Sequence, residues 1–348
     1  MQESMDKNYL ESILIGLFDG DGYRRSDKKL VYIASSSYTN LWKIKELFIQ
    51  IFGYKLRPHI YVESKYPYRI TVQAYVLSDK VYHFFDQDNL DTIANKNPLG
   101  YLLGFFYSDG NIDVKLDRRY KRYYLVYYGL KLTLYTGRRR KSDLIKNEKI
   151  LIRIKRALDT IGMHYNMRVL KPKNYSKGYT FVLKTEKLNE RIVLDYPINY
   201  KYFIYKFCHS EISFNEFILA LYIDYWLLNR LIYRIFLPKD FYLRGSQYNS
   251  IYEDLLLKHI LSITNTDLNE IAKLTKEDFW MLWSLLRIYT VDDILKITKE
   301  IMEEIKLETI TKDLIEVFPK TRKKLYLDLL KLLEKERFID IRYYGIGE

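Results

Sequence analysis

Residues 14–22 read LIGLFDGDG, and residues 102–110 read LLGFFYSDG. Both follow the pattern L-x-G-(L/F)-F-x-x-D-G, so that an apolar run ends each time on an Asp-Gly pair. A single Asp-Gly pair is an ordinary turn signal. A motif that occurs twice in one chain indicates an internal duplication, which predicts that the fold contains two similar units.

A second pair of matched segments supports the duplication. Residues 43–53 (KIKELFIQIFG) and residues 153–162 (RIKRALDTIG) both read as amphipathic helices that end at a glycine. The spacing from motif aspartate to glycine is 21 residues longer in the second copy, and the extra length falls in the basic stretches DRRYKRYY and TGRRRKSD. The two copies therefore share a plan and differ in their loops.

Each copy predicts the order helix, two strands, helix, two strands, helix. Leu10, Ile13, Leu14 and Leu17 fall on one face of the first helix, and Asn97-Pro98 reads as the capped start of its counterpart. The segments RPHIYVES and RITVQAYV alternate polar and apolar residues, which is typical of an antiparallel sheet with one buried face. We therefore predict an α+β fold built from tandem αββαββα repeats.

The polar face of this predicted sheet is suited to nucleic acid. It carries amide, hydroxyl, imidazole and guanidinium groups, which hydrogen-bond to base edges and phosphates. Its members in the first copy are Arg57, His59, Tyr61, Glu63, Arg69, Thr71, Gln73 and Tyr75, of which the DNA-contact candidates are Arg57, His59, Tyr61, Arg69, Thr71 and Gln73.

Positive charge is concentrated in the duplicated part of the chain. The net charge is +13 over 348 residues; residues 1–208 hold 37 Lys and Arg against 21 Asp and Glu, and residues 209–348 hold 20 against 23. A field of that sign attracts a polyanion, most often nucleic acid. The alternative is the solvated basic surface of a thermophilic protein, which the abundance of Lys, Ile and Tyr also favours.

The repeated motif also predicts a metal site. Gly16 and Gly20 lie four residues apart, as do Gly104 and Ser108, and small residues at that spacing let two helices approach closely. Pairing along these faces would bring Asp21 and Asp109 together. Two carboxylates in a basic protein favour a divalent cation such as Mg²⁺, which also binds phosphate oxygens. The alternative is that each Asp-Gly merely ends a helix.

Over roughly residues 5–208 the chain resembles the single-chain LAGLIDADG homing endonucleases, through both motifs, the order of elements and the segment LDYPINYKYFIYKF. The resemblance implies pseudo-symmetric repeats whose saddle-shaped sheets lie along the DNA major groove. It implies that Asp21 and Asp109 bind the metals that cleave both strands, with the Gly20 and Ser108 carbonyls as possible further ligands. It also implies a basic residue near the site, for which Lys201 and Lys96 are the candidates. Asp19 aligns with Tyr107 and receives no metal role.

The predicted DNA contacts extend beyond the first sheet into the basic loops and the second copy. The further candidates are Arg24, Arg25, Lys28, Lys115, Arg118, Arg119, Lys121, Arg138, Arg139, Arg140, Lys141, Arg168 and Lys171.

The C-terminal 140 residues do not belong to the repeat. We divide the chain into residues 1–95, residues 96–208 and a mostly helical part, residues 209–348. Within the last part, residues 309–348 resemble a winged helix whose second helix opens on basic residues, Arg322 and Lys323 among them, which would enter a DNA groove. The alternative is a helical bundle that only packs.

Other functional classes find little support in the sequence. The five histidines lack metal-ligand spacing, and no phosphate-binding glycine loop is present. The single cysteine and the absence of a signal-peptide pattern lead us to expect a cytoplasmic protein at the nucleoid, without a membrane span. The leading hypothesis is a monomeric, Mg²⁺-dependent, site-specific endonuclease of double-stranded DNA, whose C-terminal part binds DNA or a protein partner. A non-cleaving transcription regulator and an RNA maturase are the alternatives.

Overall fold

The computed structural model describes residues 6–63, 69–117, 124–135, 141–170, 180–185, 196–227, 231, 235 and 251–304. Within these residues the chain is a mixed α+β protein, in which two copies of one helix–strand pattern precede a run of helices. The α+β class and the tandem repeat predicted from the sequence are confirmed.

The first repeat contains the helix–strand order predicted for it. Its elements are α1 (Lys7–Asp21), β1 (Gly22–Arg25), β2 (Leu30–Ser35), α2 (Tyr38–Phe52), β3 (Arg57–Glu63), β4 (Arg69–Leu77), α3 (Asp79–Phe84) and α4 (Gln87–Lys96). Helix α2 ends at Gly53, whose φ of 74° lies in the left-handed region that glycine adopts without strain. The glycine stop predicted for this helix is confirmed.

The second repeat has the same order with a longer middle. Its elements are α5 (Pro98–Asp109), β5 (Gly110–Asp117), β6 (Tyr124–Tyr135), α6 (Lys141–Thr160), β7 (Tyr165–Leu170), β8 (Thr180–Thr185) and α7 (Tyr200–Cys208). The Asn97 side chain caps α5 by accepting a hydrogen bond from the Gly100 amide at 2.9 Å, and Pro98 is the first residue of that helix. The cap predicted from Asn97-Pro98 is confirmed.

The two repeats form two antiparallel sheets with the same strand order. The first sheet is ordered β1-β2-β4-β3 and the second β5-β6-β8-β7. Each motif glycine starts its first strand, with Gly22 paired to Ile33 and Gly110 paired to Leu132. The duplication therefore extends from the sequence to the strand pairing.

The two motif helices, α1 and α5, pack against each other in backbone contact. A Cβ built at Gly16 would lie 2.1 Å from the Tyr101 carbonyl oxygen, and one built at Gly104 would lie 2.0 Å from the Ile13 carbonyl oxygen. No side chain fits at either position, so the small residues at four-residue spacing do what the sequence predicted. The helices run parallel, because Gly16 lies beside Tyr101 and Phe105 and Gly20 lies beside Ser108 further along both chains.

Helices of the C-terminal part follow the repeats. They are α8 (Phe214–Tyr222), a π-helical turn (Ile223–Leu227), α9 (Ile251–Ile263), α10 (Leu268–Ala272), a 3₁₀ turn (Lys276–Asp278), α11 (Met281–Leu286) and α12 (Val291–Glu304). They pack on the first repeat: the buried Trp283 ring stacks on Tyr38 with centroids 3.9 Å apart, and the Trp280 indole N–H donates to the Leu56 carbonyl at 2.8 Å.

A buried carboxylate fixes the same junction. Asp224 accepts hydrogen bonds from the Ser37 hydroxyl at 2.7 Å, the Thr39 amide at 2.9 Å and the Thr39 hydroxyl at 3.0 Å. Ser37 is the N-cap of α2, so the carboxylate also lies at the positive end of that helix. Burial nevertheless dominates and raises the pKa of Asp224 to about 6.

No helix among the described residues is long and apolar enough to cross a membrane. Residues 309–348, with Arg322 and Lys323 and the predicted winged helix, lie outside the described residues.

Candidate metal site and nucleic-acid interface

The two motif carboxylates stand next to the point where the paired helices end. A Cβ built at Gly20 would lie 1.9 Å from the Ser108 hydroxyl oxygen and 3.2 Å from the Asp109 amide nitrogen. Asp21 and Asp109 directly follow these two residues and are the last residues of α1 and α5. Asp21 is half-buried and Asp109 is exposed, so both belong to one solvent-accessible end of the helix pair.

This end of the helix pair has the donor chemistry of a hard-cation site with open positions. Carboxylate oxygens suit Mg²⁺, which is commonly bound through one or two carboxylates and completes its shell with water and substrate phosphate. Helix C-termini add main-chain carbonyl oxygens without intrahelical partners. Among the described residues no third His, Cys, Asp or Glu joins a metal-binding cluster. The pair therefore fits a cation whose remaining ligands are carbonyls, water or phosphate.

Lys201 lies at the end of α5, close to this pair. Lys201 is 1% exposed. Its ammonium group donates to the Phe106 carbonyl and, at 3.1 Å, to the Ser108 carbonyl. The neighbouring Asn199 donates to the Tyr107 carbonyl at 2.8 Å. Lys201 thus stabilises the negative end of the helix dipole. It also donates to the Ser108 carbonyl oxygen, which is a predicted further metal ligand.

Lys96, the other basic candidate, lies elsewhere. It is the last residue of α4 and directly precedes Asn97, the cap of α5. Helix α5 has 12 residues and so spans about 18 Å. Because α1 and α5 are parallel, Lys96 stands at the opposite end of the pair from Asp21 and Asp109. Its assignment to the site is wrong for that reason.

Asp19, two residues before Asp21, belongs to a buried ion-pair network. Its carboxylate accepts from the Arg153 guanidinium at 3.0 Å and from the Tyr101 hydroxyl at 2.9 Å, and Arg153 also donates to Asp91 at 2.8 Å. Asp19 is 4% exposed and Arg153 1%. Burial raises the pKa of Tyr101 well above its ordinary value, so the hydroxyl keeps the proton it donates. Asp19 thus ties α1 to the second repeat.

The polar face of the first sheet carries most of the residues predicted for it. Arg57, His59 and Tyr61 are exposed on β3, and Thr71 and Gln73 on β4 are half-buried. His59 lies opposite Gln73 in the strand register, Tyr61 opposite Thr71, and Glu63 opposite Arg69. Val72, Ala74 and Val76 are buried on the other face.

The prediction that Arg24 contacts DNA from this interface is wrong. Arg24 alternates with the exposed Tyr23 and Arg25 and pairs with the buried Val31. Its guanidinium forms an ion pair with Asp86, donates to the Tyr82 carbonyl at 3.3 Å and lies 4.7 Å from the centre of the Tyr82 ring. The ion pair with Arg24 lowers the pKa of Asp86. Arg24 therefore anchors β1 to α3 and is not on the polar face.

The neighbouring turn keeps two predicted basic residues at the surface. Arg25 is exposed and forms an ion pair with Asp27 at 2.7 Å, and Lys28 is exposed in the β1–β2 turn. The Arg25 side-chain hydrogen bond lowers the pKa of Asp27.

In the second sheet the structure describes only part of the predicted surface. Arg168 is exposed on β7 and pairs with Val182 on β8. Lys115 on β5 pairs with Val126 on β6, and Lys141 is the first residue of α6. The remaining basic candidates of this copy lie outside the described residues: Arg118, Arg119, Lys121, Arg138, Arg139, Arg140 and Lys171.

Two tyrosines on the first sheet, Tyr23 and Tyr32, were not predicted from the sequence, and they align with Tyr75, which was placed on the polar face. Tyr23 pairs with Tyr32 across β1 and β2, and Tyr32 pairs with Tyr75 across β2 and β4. All three therefore share the face of Arg57, which pairs with Tyr75. The alternation in LVYIAS indicates that Tyr32 lies on the polar face of its strand. The strand register is needed to show that Tyr23, Tyr32 and Tyr75 lie side by side.

Comparison with protein-family models and with curated proteins yields no match. Among solved structures, mesophilic variants of the homing endonuclease I-DmoI are 16% identical at a TM-score of 0.34, over 52% of this chain and 90% of that one. Full-length DUF199/WhiA from Thermatoga maritima is 18% identical at 0.36, over 86% and 94%. The N-terminal LAGLIDADG domain of DUF199/WhiA is 16% identical at 0.33, over 53% and 78%. Because these TM-scores are low, we base the fold assignment on the observed helix pair and the two sheets and not on these neighbours.

Proposed function

We propose that the protein is a divalent-metal-dependent endonuclease of double-stranded DNA, with one cleavage site shared by the two repeats. The contact of Gly20 with Ser108 supports this most directly, because it brings the motif aspartates of both copies to one open end of the helix pair. Two carboxylates at one solvent-accessible end of the helix pair, in a region with 37 Lys and Arg against 21 Asp and Glu, suit a cation and a polyanionic substrate.

Each part of the site has a task in this proposal. Asp21 and Asp109 would hold the cation, with the Gly20 and Ser108 main-chain oxygens as further candidate ligands. A bound divalent cation supplies charge stabilisation at the scissile phosphate and lowers the pKa of a nucleophilic water. Lys201 adds positive charge at the end of α5, where it attracts the phosphate. The polar faces of the two sheets would hold the duplex in register through phosphate and base contacts.

The proposal includes an organisation for the whole chain. Residues 1–95 and 96–208 would supply the two halves of a monomeric, pseudo-symmetric DNA-binding unit, at the nucleoid of the cytoplasm. Residues 209–348 would form a separate helical part that binds DNA or a protein partner.

The test is cleavage mapping with a charge-matched control. The protein is incubated with source-genome fragments in Mg²⁺, and the bound fragments are sequenced through interiors and ends. We expect recurrent new ends, which the double variant Asp21→Asn, Asp109→Asn loses by at least about a hundredfold, since several kcal/mol of charge stabilisation disappear. The double variant Asp79→Asn, Asp88→Asn has the same net charge and should cut normally. Undiminished cutting by the first double variant would overturn the proposal.

A second function on the same scaffold is a DNA-binding regulator that does not cut. It is favoured by Lys201, whose bond to the Ser108 carbonyl occupies one of the candidate ligand atoms. In the same experiment, enriched fragments with intact interiors and no metal-dependent ends would identify the regulator.

A further inference from the structure

A row of aromatic side chains crosses the open face of the first sheet. Tyr23 on β1 lies opposite Tyr32 on β2, Tyr32 opposite Tyr75 on β4, and Tyr75 opposite Arg57 on β3. Neighbouring strands are about 4.8 Å apart, so the row spans about 14 Å from edge to edge. It follows the sheet across all four strands and ends on a guanidinium.

The rings of this row are accessible from solvent. Tyr23 is 49% exposed on one edge strand, and Tyr32 and Tyr75 are half-buried. Tyr61, two rows along the same face on the other edge strand, is 51% exposed. The Tyr23 and Tyr32 rings lie with centroids 5.3 Å apart and planes inclined at 34°. Cross-strand packing of aromatic rings stabilises a sheet and accounts for this pair. It does not account for half-exposed tyrosines at both edges of the face.

The charge around the row indicates which kind of ligand it suits. Arg57 and His59 are exposed beside the rings, in the part of the chain that carries all of the excess positive charge. Phosphates are attracted by that charge, and aromatic rings offer flat surfaces on which bases can stack. In a duplex the base faces are already covered by neighbouring pairs, so that only base edges are accessible. Unpaired bases, in contrast, stack well on aromatic residues of a four-stranded sheet, two or three at a time.

We propose that this face is a binding site for single-stranded nucleic acid, in which Tyr23, Tyr32 and Tyr75 stack unpaired bases and Arg57 contacts the backbone. This face is the one proposed above to hold the duplex, and Arg57 would serve both ligands, but single-strand binding does not depend on duplex cleavage. The ligand class is a sugar–phosphate chain with two or three unstacked bases, from DNA or from RNA.

The first part of the test varies the ligand at constant charge. Affinity of the full chain is measured by fluorescence anisotropy for 12-nucleotide single strands of DNA and RNA, each with and without three central abasic positions. We expect the abasic strands to bind about fivefold or more weakly, because they keep the phosphates and lose the stacking. Tighter binding of RNA than of DNA would point to RNA as the source of the ligand, and the reverse to DNA. Equal affinity for intact and abasic strands would overturn the proposal.

The second part varies the protein. Tyr23→Ile with Tyr75→Ile places side chains of high β-propensity on the strands but removes the flat rings. Tyr23→Phe with Tyr75→Phe keeps the rings. We expect the isoleucine variant to lose about fivefold or more in single-strand affinity and the phenylalanine variant to bind as the parent does. The control is Tyr54→Ile, since Tyr54 is 38% exposed outside the strands.

Unfolding curves show that each variant is folded before its affinity is compared. An isoleucine variant that is folded and binds single strands normally would overturn the proposal. An equal loss of duplex and single-strand affinity would also overturn it, because stacking acts on unpaired bases alone. Metal-dependent cutting is scored separately with the Asp21 and Asp109 variants, so failure of one proposal is distinguishable from failure of the other.

Discussion

The two repeats share strand order and motif aspartates but are held in place by different partners. In the first repeat, the last turn of α1 is held through a side chain, because buried Asp19 pairs with Arg153 and Tyr101 of the second repeat. In the second, the last turn of α5 is held through its backbone, because Lys201 and Asn199 bind its carbonyls. In the first repeat, Asp224 also binds the start of the second helix. The duplication thus kept the positions of the carboxylates while their supports diverged.

The largest loss of stability should come from disrupting the close contact between α1 and α5, to which both repeats contribute. Gly104→Val places a side chain where a Cβ already lies 2.0 Å from the Ile13 carbonyl oxygen. Because backbone atoms of α1 cannot move aside, we expect the free energy of unfolding to fall by more than about 4 kcal/mol, which urea titration measures. Gly53→Asn is the control: a Cβ there meets nothing within 4 Å, and asparagine tolerates a positive φ, so the loss should stay below about 1 kcal/mol. Equal losses at both glycines would contradict the close packing of the helices.

Asp19→Asn removes the side-chain support described for the last turn of α1. It leaves the Arg153 charge buried with Asp91 alone, and breaking a buried pair costs about 3 kcal/mol. Asp91→Asn removes the partner whose side chain is 41% exposed and should cost about 1 kcal/mol or less. Thermal unfolding of both variants checks the order, and a larger loss for Asp91→Asn would show that Asp19 is not the main partner.

Asp224 should make the anchoring of the first repeat depend on pH. Its folded pKa of about 6 lies above the ordinary value of 3.8, so the folded state binds the extra proton. Stability at this group is therefore greatest below pH 3.8 and falls as the pH rises towards 6, by about 2 to 3 kcal/mol in all. Asp224→Asn keeps an acceptor for Thr39 and gives Ser37 a donor, so the difference between the two unfolding curves should grow over that window. A constant difference from pH 4 to 7 would contradict the raised pKa.

Lys201→Met removes the backbone support described for the last turn of α5. Two carbonyls of α5 lose a charged donor, which should cost about 2 kcal/mol in urea unfolding. Because a positive charge leaves and the Ser108 oxygen is freed, affinity for Mn²⁺ should rise or stay equal while DNA cleavage falls. A parallel loss of metal affinity would instead mean that Lys201 mainly holds the site in shape.

The features predicted from the sequence are those that the duplication or local caps determine. The pairing of Gly16 with α5, the Asn97 cap and the Gly53 stop all follow from short spacings. The prediction of Arg24 as a DNA contact is wrong because Arg24 pairs with the buried Val31, and a strand of four residues does not reveal which of its side chains face solvent. The Asp19–Arg153 pair joins residues 134 positions apart, and the tyrosine row needs the register of three strands. Contacts of that range depend on tertiary packing, which local patterns do not encode.

The measurement that most directly tests the shared site is Mn²⁺ binding by titration calorimetry on the parent, Asp21→Asn, Asp109→Asn and the control Asp88→Asn. If the two copies form one site, each motif variant should lower the Mn²⁺ affinity at least about tenfold, and the control should bind as the parent does. The double variant should then lose the binding of no more than one Mn²⁺ ion per chain. Unchanged Mn²⁺ binding by the double variant would contradict the claim that the duplicated aspartates together hold a metal.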